Sequence, residues 1–420
     1  MARNNLRLHA FLAAQAREEA GVYRGVLDKA INPKDIERIP TGIRSIDATL
    51  HGGIPRGQLS LVVGQTHTGK STVSIQLMAK AILHDKPVLY LGYESQPGEI
   101  HFELQRMLAG PGRMMETGPG EWGVNSIAAE NIDRFLYDGY LTLRPRKNGR
   151  PMPMAERHEW TMAKMQDFVN AGGQVIVIDP MSQFIAQMAC SPVMRSLKTD
   201  IERQSYIGMT LEDFAITNNI WIIMVCHYKK GGVEAAGSGP DAISGSSAVP
   251  NSAGVIISYE RFSEAWKAWK IKKLTEQIKI AKDNKEESRA AALEADIARI
   301  TGGELDDKRQ VKIWKNRGWG TLELGGIETG FEPASHRIGS HEPDYWDDKY
   351  DYEKVMAGAE WHDYRDDPVD PVTGMTLAEI QKKVDDVLLP AYEAGDDAVR
   401  VEIEALIDTA QRLTAQEYET

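Results

Sequence analysis

The residues with the clearest capacity for chemistry form the run GQTHTGKS at positions 64–71. It matches the pattern G-x-x-x-x-G-K-S at every fixed position, and it lies between a short apolar run (59–63) and a helix-like stretch (72–83). In this context the glycines let successive backbone N–H groups point at phosphates, and the following helix adds the positive end of its dipole. The run therefore predicts a nucleotide-phosphate loop.

The last two residues of this run have defined tasks in such a loop. Lys70 would contact the β- and γ-phosphates, and Ser71 would hold Mg²⁺. The predicted ligands are therefore ATP, or dTTP or another nucleoside triphosphate, together with Mg²⁺. The predicted nucleotide contacts in this stretch are Gly64, Gln65, Thr66, His67, Thr68, Gly69, Lys70, Ser71 and Thr72.

Three more polar side chains follow apolar runs that are suited to buried parallel strands. Glu94 follows residues 87–91, Asp179 follows residues 175–178, and His227 follows residues 220–225. The carboxyl ends of parallel strands meet at the ligand-binding edge of an open α/β sheet. We therefore expect these side chains to face one cleft.

Each of these side chains has a catalytic interpretation and a plainer one. Glu94 is placed to orient and deprotonate the water that attacks the γ-phosphate, although a solvated glutamate at a strand end is equally common. Asp179 is expected to hold Mg²⁺ through water. A lone histidine is more often structural, but the position of His227 favours a sensor of the γ-phosphate.

Two basic residues stand at the end of a later predicted strand (311–314). Lys315 and Arg317 precede Gly318 in the run KNRGWG. Such residues are often only surface charge. In a ring ATPase they can instead reach the neighbouring subunit's γ-phosphate and stabilise the transition state as an arginine finger.

The order of predicted strands and helices gives an α/β chain with a mainly parallel sheet. We expect an N-terminal helical arm or linker at residues 1–32, a nucleotide-binding core at 33–335 and an acidic tail with helices at 336–420. Residues 262–310 alternate charged, Ala and apolar residues, which predicts two helices inserted in the core. Residues 109–124 are expected to form a loop. The Asp- and aromatic-rich stretch after Ser340 is expected to be extended or disordered.

The net charge of −12 is unevenly distributed along the chain. Residues 341–420 contain 22 acidic and 7 basic residues, whereas the rest contains 39 acidic and 42 basic residues. A near-neutral core with an acidic tail is compatible with nucleic-acid binding. The tail is suited to docking a basic protein partner.

The composition is typical of an intracellular globular protein. No apolar run reaches about 18 residues, which predicts neither a signal peptide nor a transmembrane helix. Cys190 and Cys226 lack metal-ligand spacing and fit a reducing compartment. We therefore expect a cytoplasmic location and no membrane partner.

The ordered set of motifs resembles that of DnaB-family hexameric replicative helicases. The set consists of GQTHTGKS, the strand-end Glu94, VIVID, VCHYKK, GSSAVPNSAGVIISYER and KNRGWG. The likeness is greatest to the helicase half of bacteriophage primase-helicases and of mitochondrial Twinkle, and it covers about residues 39–333 without the helical insertion. It implies a RecA-like P-loop NTPase core that assembles as a homohexamer, moves 5′ to 3′ on single-stranded DNA, and comes from a phage acting in bacterial cytoplasm.

The resemblance also implies roles for individual residues. Glu94 corresponds to the catalytic base, Asp179 to the Mg²⁺ ligand and His227 to the phosphate sensor. Lys315 and Arg317 correspond to a finger pair that acts on the neighbouring subunit. The active site implied by the resemblance is therefore shared between two subunits.

Nucleotide-base and DNA contacts follow from the same resemblance. Arg261 corresponds to a residue that packs near the base, although no evident aromatic residue for base stacking follows Gly320. Two loops correspond to those that hold single-stranded DNA by its phosphates, and Ser244 stands where an arginine is usual in the second. DNA affinity is therefore expected to depend mainly on the lysines and on backbone N–H groups. The predicted DNA contacts are Lys229, Lys230, Ser244, Gly245 and Ser246.

Two other functions fit the same fold. A RecA-like or RadA-like DNA-dependent ATPase of recombination shares the phosphate loop and the position of Glu94, but would form helical filaments. A ring or clamp that binds ATP to load partners would use the acidic tail. In a replicative helicase, the tail would instead suit a polymerase, a primase or a single-strand-binding protein.

Overall fold

The computed structural model describes residues 33–66, 68–137, 139–147, 150–228, 240, 243, 247–262, 264–305, 308–317, 320–339 and 348–361, and eight single positions between 380 and 409. The predicted N-terminal arm lies outside the described residues, as do one phosphate-loop residue and all predicted DNA contacts. These residues are His67, Lys229, Lys230, Ser244, Gly245 and Ser246.

The described residues form fifteen strands. They are β1 (Arg38–Ile39), β2 (Ile54–Pro55), β3 (Gln58–Gly64), β4 (Val88–Gly92), β5 (Met114–Gly118), β6 (Glu121–Val124), β7 (Tyr140–Thr142), β8 (Arg146–Lys147), β9 (Arg150–Pro151), β10 (Val175–Asp179), β11 (Trp221–His227), β12 (Val255–Arg261), β13 (Arg309–Asn316), β14 (Glu323–Phe331) and β15 (Ile338–Gly339).

Twelve α-helices lie in the same part of the chain. They are α1 (Arg44–Thr49), α2 (Lys70–Leu83), α3 (Pro97–Ala109), α4 (Ser126–Leu136), α5 (Arg157–Asn170), α6 (Met181–Met188), α7 (Pro192–Ser196), α8 (Asp200–Thr217), α9 (Ala248–Ser252), α10 (Glu264–Asp283), α11 (Glu287–Thr301) and α12 (Asp348–Trp361).

Nine strands form one sheet in the order β15-β14-β13-β12-β3-β11-β10-β4-β7. The six strands from β12 to β7 are parallel. The other three run antiparallel to their neighbours. This arrangement confirms the predicted α/β class with a mainly parallel sheet.

Two hydrophobic cores cover the two faces of this sheet, because successive side chains of a strand point to opposite faces. One core contains Val62 and Ile223 and is covered by α2, α3 and α4. The other contains Leu61 and Met224 and is covered by α5, α6 and α8. Both faces are therefore apolar, which explains why the central strands are continuous apolar runs.

Helices α10 and α11 form the pair predicted between β12 and β13, and they pack on a small cluster of their own. The buried members of that cluster are Phe262, Leu274, Ile300 and Leu305. The helices therefore lengthen the connection between two adjacent strands without adding to the sheet.

Two expectations about local structure are wrong. Residues 109–124 contain the antiparallel hairpin β5–β6, although their Gly and Met content predicted a loop. Residues after Ser340 include α12, whose Val355 is fully buried in the core beside α2, α3 and α4. Its Asp351 forms a buried ion pair of 3.1 Å with Lys80 of α2. A few well-placed contacts thus order a segment whose overall composition is polar.

Within the described ranges, no helix combines the length and apolar character that crossing a membrane requires.

Candidate functional site

The phosphate loop joins β3 to α2, as its sequence predicts. Gly69 precedes α2 with φ +95°, a backbone conformation that glycine adopts without strain. Gly64 ends β3 in a crowded position, because a Cβ atom there would lie 2.4 Å from the carbonyl oxygen of Tyr259 and 2.9 Å from Oγ1 of Thr68. Glycine is therefore required at both ends of the loop. The same compact turn places the N-terminus of a 14-residue helix at the loop.

Lys70 lies folded into the loop. Its Nζ donates a hydrogen bond of 2.5 Å to the carbonyl oxygen of Gln65, and the residue is 6% exposed. Burial lowers the pKa of this ammonium, whereas the nearby Asp179 and Glu94 carboxylates oppose that change. The loop thus holds one buried cation, and a phosphate anion is the type of ligand that would compensate its lost hydration.

Asp179 ends β10 and lies beside the start of α2. Its Oδ2 accepts hydrogen bonds from the Tyr90 hydroxyl at 3.0 Å and the Ser74 hydroxyl at 3.4 Å. Burial raises the pKa of this carboxyl, and hydrogen bonds from Ser71 and Tyr90 counteract the rise. The structure therefore brings the two predicted Mg²⁺ ligands, Ser71 and Asp179, together.

These two ligands fit Mg²⁺ in a nucleotide site. Magnesium keeps several waters and typically takes one or two protein oxygens, with substrate phosphates completing its shell. Among the described residues no group of three or more His, Cys, Asp or Glu side chains forms a metal cluster. One carboxylate and one hydroxyl therefore suit a metal that is bound jointly with a nucleotide.

Glu94 lies in the bend immediately after β4 and is exposed. Gly92 of β4 pairs with Asp179 of β10, so Glu94 follows the same sheet edge by two residues. It lies close enough to Lys70 and Asp179 to affect the pKa of each. An exposed carboxylate at this edge is accessible to a water molecule, as a general base must be.

His227 is the last residue of β11 and pairs with Gly64 at the start of the phosphate loop. Its Nδ1 is buried and has no hydrogen-bond partner among the described residues. Burial lowers the pKa of the imidazole, the Lys70 charge lowers it further, and Asp179 opposes both. A neutral imidazole with an unsatisfied nitrogen at the loop is suited to hydrogen-bonding a ligand there.

A cavity of about 230 Å³ adjoins the phosphate loop and includes residues that the sequence did not suggest. Tyr259 of β12 lies beside Gly69, and the half-exposed Phe331 ends β14. The sequence showed no evident aromatic residue for base stacking after Gly320, whereas Phe331 provides an aromatic side chain at this cavity. The lining consists of Thr68, Gly69, Thr72, Tyr259, Arg309, Phe331 and Ile338.

Only part of this cavity had a signal in the sequence. Tyr259 stands two residues before Arg261 in β12, so alternation along this strand places both on one face, but the run recognised in the sequence ended at Ser258. Phe331 and Arg309 come from strands whose place in the sheet the sequence does not reveal. Arg261 itself is the exposed last residue of β12, opposite Arg309, and lies outside the cavity lining.

The predicted finger pair lies at the opposite edge of the sheet. The backbone N–H of Arg317 donates to Gly254, whose own N–H donates to Leu59 near the start of β3. Leu59 precedes Gly64 by five residues of β3, which correspond to about 16 Å. The backbone of Arg317 therefore lies about 16 Å from the phosphate loop, measured along β3. The structure therefore does not bring Arg317 together with the other predicted catalytic residues of its own chain.

Both finger residues contact the segment around α9. Lys315 Nζ donates to the carbonyl oxygens of Pro250 and Asn251 at 2.9 and 2.8 Å. Arg317 donates to Asn251 O at 2.8 Å and forms an ion pair of 2.7 Å with Glu212 of α8. Arg317 is about half exposed, so releasing this ion pair costs less than about 1 kcal/mol.

Comparison with known proteins finds similar sequences for the part of the chain that contains the phosphate loop. A family model described as "ATPase: KaiC" matches residues 39–116. The circadian clock oscillator protein KaiC of Picosynechococcus sp. (strain ATCC 27264 / PCC 7002 / PR-6) is 38% identical over 68 residues, and KaiC 1 of Synechocystis sp. (strain ATCC 27184 / PCC 6803 / Kazusa) is 37% identical over 68 residues. Each alignment covers 16% of this chain and 13% of the relative.

The chain thus spans a small fraction of the length of these relatives. A solved structure matches far more of it: the ATPase domain of G40P aligns with a TM-score of 0.50 and 12% identity, covering 80% of this chain and 98% of that one. At this identity the match concerns the fold. The chain therefore has a RecA-like P-loop NTPase core, with the fold of the ATPase domain of G40P.

Proposed function

We propose that the protein is an ATP-dependent DNA helicase that works as a homohexameric ring on single-stranded DNA. The observation that carries the proposal is the separation of the predicted catalytic residues between two sheet edges. The phosphate loop, Glu94, Asp179 and His227 meet at one edge, whereas Arg317 lies about 16 Å away along β3. A second subunit that presents its Arg317 to this loop would complete the site.

Within one subunit, each residue has a distinct part in hydrolysis. Lys70 would leave the Gln65 carbonyl and hold the β- and γ-phosphates. Glu94 would accept a proton from the attacking water, and His227 would hydrogen-bond the γ-phosphate through a ring nitrogen. Mg²⁺, held by Ser71 and Asp179, would neutralise charge on the phosphate oxygens.

The cavity beside the loop would accept the base and the ribose. Tyr259 and Phe331 offer aromatic surface, and Arg309 offers a cation at its wall. Aromatic surfaces stack any base, which fits a site that takes ATP, dTTP or another nucleoside triphosphate. The predicted DNA contacts at Lys229, Lys230 and residues 244–246 remain part of this proposal.

Arg317→Ala is the variant that tests the shared site. Nucleotide binding should remain near the wild-type level, while the ATPase rate should fall about 10³-fold or more, because a finger acts mainly on the transition state. Glu212→Gln is the matched control, since it removes the ion pair with Arg317 and leaves the guanidinium in place. Its ATPase rate should stay near that of the wild type. Equal loss in both variants would mean that the ion pair is structural.

Mixed rings decide whether Arg317 acts on its neighbour. Rings made of Arg317→Ala subunits alone, or of Glu94→Gln subunits alone, should hydrolyse ATP about 10³-fold more slowly than wild type or not at all. When the two kinds of subunit are mixed in equal amounts, about a quarter of the subunit interfaces in a ring combine an intact Glu94 from one subunit with an intact Arg317 from its neighbour. Recovery of ATPase activity on mixing supports a shared site, and no recovery contradicts it.

The helicase itself requires a separate assay. ATPase activity should rise with single-stranded DNA, a forked duplex should be unwound, and electron microscopy should show closed sixfold rings. Helical filaments on DNA would favour a RecA-like or RadA-like ATPase instead. DNA-independent hydrolysis without fork opening at any salt concentration would refute the helicase.

A further inference from the structure

The most informative polar cluster outside the phosphate site surrounds Glu260, a carboxylate that is 2% exposed. Its Oε1 accepts a hydrogen bond of 2.6 Å from the Tyr228 hydroxyl, and its Oε2 accepts one of 3.0 Å from Lys312 Nζ. The side chain of Lys312 is 8% exposed. The two donors use different oxygens, so both charges are compensated inside the protein.

The cluster connects strands that are not all neighbours. Glu260 lies on β12 and Lys312 on β13, whereas Tyr228 directly follows β11. Strand β3, which ends in the phosphate loop, lies between β11 and β12 in the sheet. The hydrogen bond from Tyr228 to Glu260 therefore spans the end of the strand that carries the phosphate loop.

Tyr228 is held at two further points. Its backbone N–H donates 3.3 Å to the carbonyl oxygen of Gly64, the first glycine of the phosphate loop. It also forms an isolated antiparallel bridge with Ile243. One residue therefore connects the phosphate loop, the end of β11 and Ile243.

The same contacts restrict His227, because it immediately precedes Tyr228. Burial, reinforced by the Glu260 charge, raises the pKa of the Tyr228 phenol, so its hydroxyl stays protonated and remains a donor. A fixed Tyr228 fixes the backbone at which β11 ends, and with it the point from which the His227 side chain extends. Nδ1 of His227 has no partner among the described residues, so the position of the backbone is the constraint that the structure shows for this side chain.

The other end of the cluster leads to the finger pair. Lys312 precedes Lys315 on β13 by three residues, and its ammonium lies 5.4 Å from the ring centre of Trp314. The indole N–H of Trp314 donates 3.0 Å to the Ser258 hydroxyl on β12. The strand that carries the finger pair is thus bonded through side chains to the strand that carries Glu260.

We propose that Tyr228, Glu260 and Lys312 form a positioning network that aligns His227 and the phosphate loop with the strand bearing Lys315 and Arg317. Tyr228 is a positioning residue in this scheme, since it acts through His227 and Gly64. The inference rests on the proposed ATPase function. It adds a physical link between the phosphate loop and β13, the strand that leads to the finger pair.

Tyr228→Phe tests the network, because it removes one hydroxyl and keeps the ring. A hydrogen bond to a buried charged group corresponds to roughly a ten- to hundredfold change in a local equilibrium. We expect kcat for ATP to fall at least about tenfold, with KM for ATP and ADP affinity within about twofold of wild type. Tyr140→Phe is the matched control. The Tyr140 hydroxyl lies outside the phosphate site and hydrogen-bonds Nδ1 of His101 at a distance of 2.7 Å. This variant should leave kcat within about twofold.

Hydrogen exchange followed by mass spectrometry gives a readout that needs no ATPase activity. In Tyr228→Phe, amides of β3 and β11 should exchange about tenfold faster or more, whereas Tyr140→Phe should affect only peptides near His101. Unchanged exchange in β3 and β11, or an equal fall of kcat in both variants, overturns the positioning network. A wild-type protein without ATPase activity would refute the proposed function. The exchange measurement would still test the positioning network, because it does not depend on that activity.

Discussion

Replacing Asp47 with asparagine should change how stability depends on pH. Asp47 lies on α1, in the segment that precedes the phosphate loop, and is 1% exposed. Its Oδ1 accepts a hydrogen bond of 2.7 Å from the Thr41 N–H. The carbonyl oxygen of Thr41 in turn accepts one of 2.9 Å from Gln76 of α2. The carboxyl is therefore part of the support beneath the phosphate-loop helix.

Burial raises the pKa of Asp47 to about 6, although hydrogen bonds from Thr41 and Gly42 and the Lys80 charge act in the opposite direction. In the unfolded chain the pKa is about 3.9. Between about pH 4 and pH 6 the folded protein therefore binds more protons at this site than the unfolded chain. The unfolding free energy therefore falls as pH rises through that window. Above it, the folded protein bears the whole free-energy cost of a buried, ionised Asp47.

The size of the penalty follows from the difference in pKa. About two units correspond to about 3 kcal/mol of unfolding free energy. An asparagine side chain carries no charge at any pH. The unfolding free energy of Asp47→Asn minus that of wild type should therefore increase by about 3 kcal/mol between pH 4 and pH 7. The comparison between the two proteins removes the contributions of other titrating groups.

Urea unfolding of both proteins at several pH values, followed by tryptophan fluorescence, measures this difference. Asp167→Asn is the control, because Asp167 is exposed on α5 and pairs with Lys164 at the surface. Its difference from wild type should stay constant across the window within about 0.5 kcal/mol. A constant difference for Asp47→Asn as well would refute the assignment of a raised pKa to this carboxyl.

Two further predictions concern nucleotide affinity and the C-terminal helix. Phe331→Ala should weaken binding of a fluorescent ADP analogue about fivefold, the low end of the range for a stacking residue, because Phe331 is half exposed. Leu324→Ala is the control and should leave affinity unchanged, since Leu324 is an equally exposed residue of β14 outside the cavity. Equal affinities of the two variants would exclude stacking by Phe331. A protein truncated after residue 340 lacks Asp351, so the buried Lys80 is no longer neutralised. Its unfolding free energy should be at least about 3 kcal/mol lower than that of a protein truncated after residue 361. Similar urea midpoints for the two proteins would contradict this.

The parallel strands were predictable because burial on both faces requires continuous apolar residues. Residues 175–178 and 220–225 carry this pattern, and β10 and β11 follow it closely. A polar residue directly after such a run has to lie at the sheet edge, which is why Asp179 and His227 could be named from the sequence. Their proximity then follows from parallel pairing.

Other features depend on contacts that composition does not encode. The β5–β6 hairpin forms from a glycine-rich stretch that gives no alternating pattern. Helix α12 is polar overall, but Asp351 and Val355 reach buried partners on the core. Phe331 reaches the cavity only because β14 folds back along β13. In each case a few long-range contacts outweigh the local preference of the segment.

The direction of β13 gives the finger pair its meaning. All parallel strands present their carboxyl ends, and therefore the phosphate loop, at one edge of the sheet. Strand β13 is antiparallel to β12, so its carboxyl end, with Lys315 and Arg317, must lie at the opposite edge. The sequence marks both residues as strand-end cations, but it does not give the direction of their strand. With that direction known, a catalytic role for Arg317 requires a second subunit, and mixing Arg317→Ala with Glu94→Gln subunits tests this requirement directly.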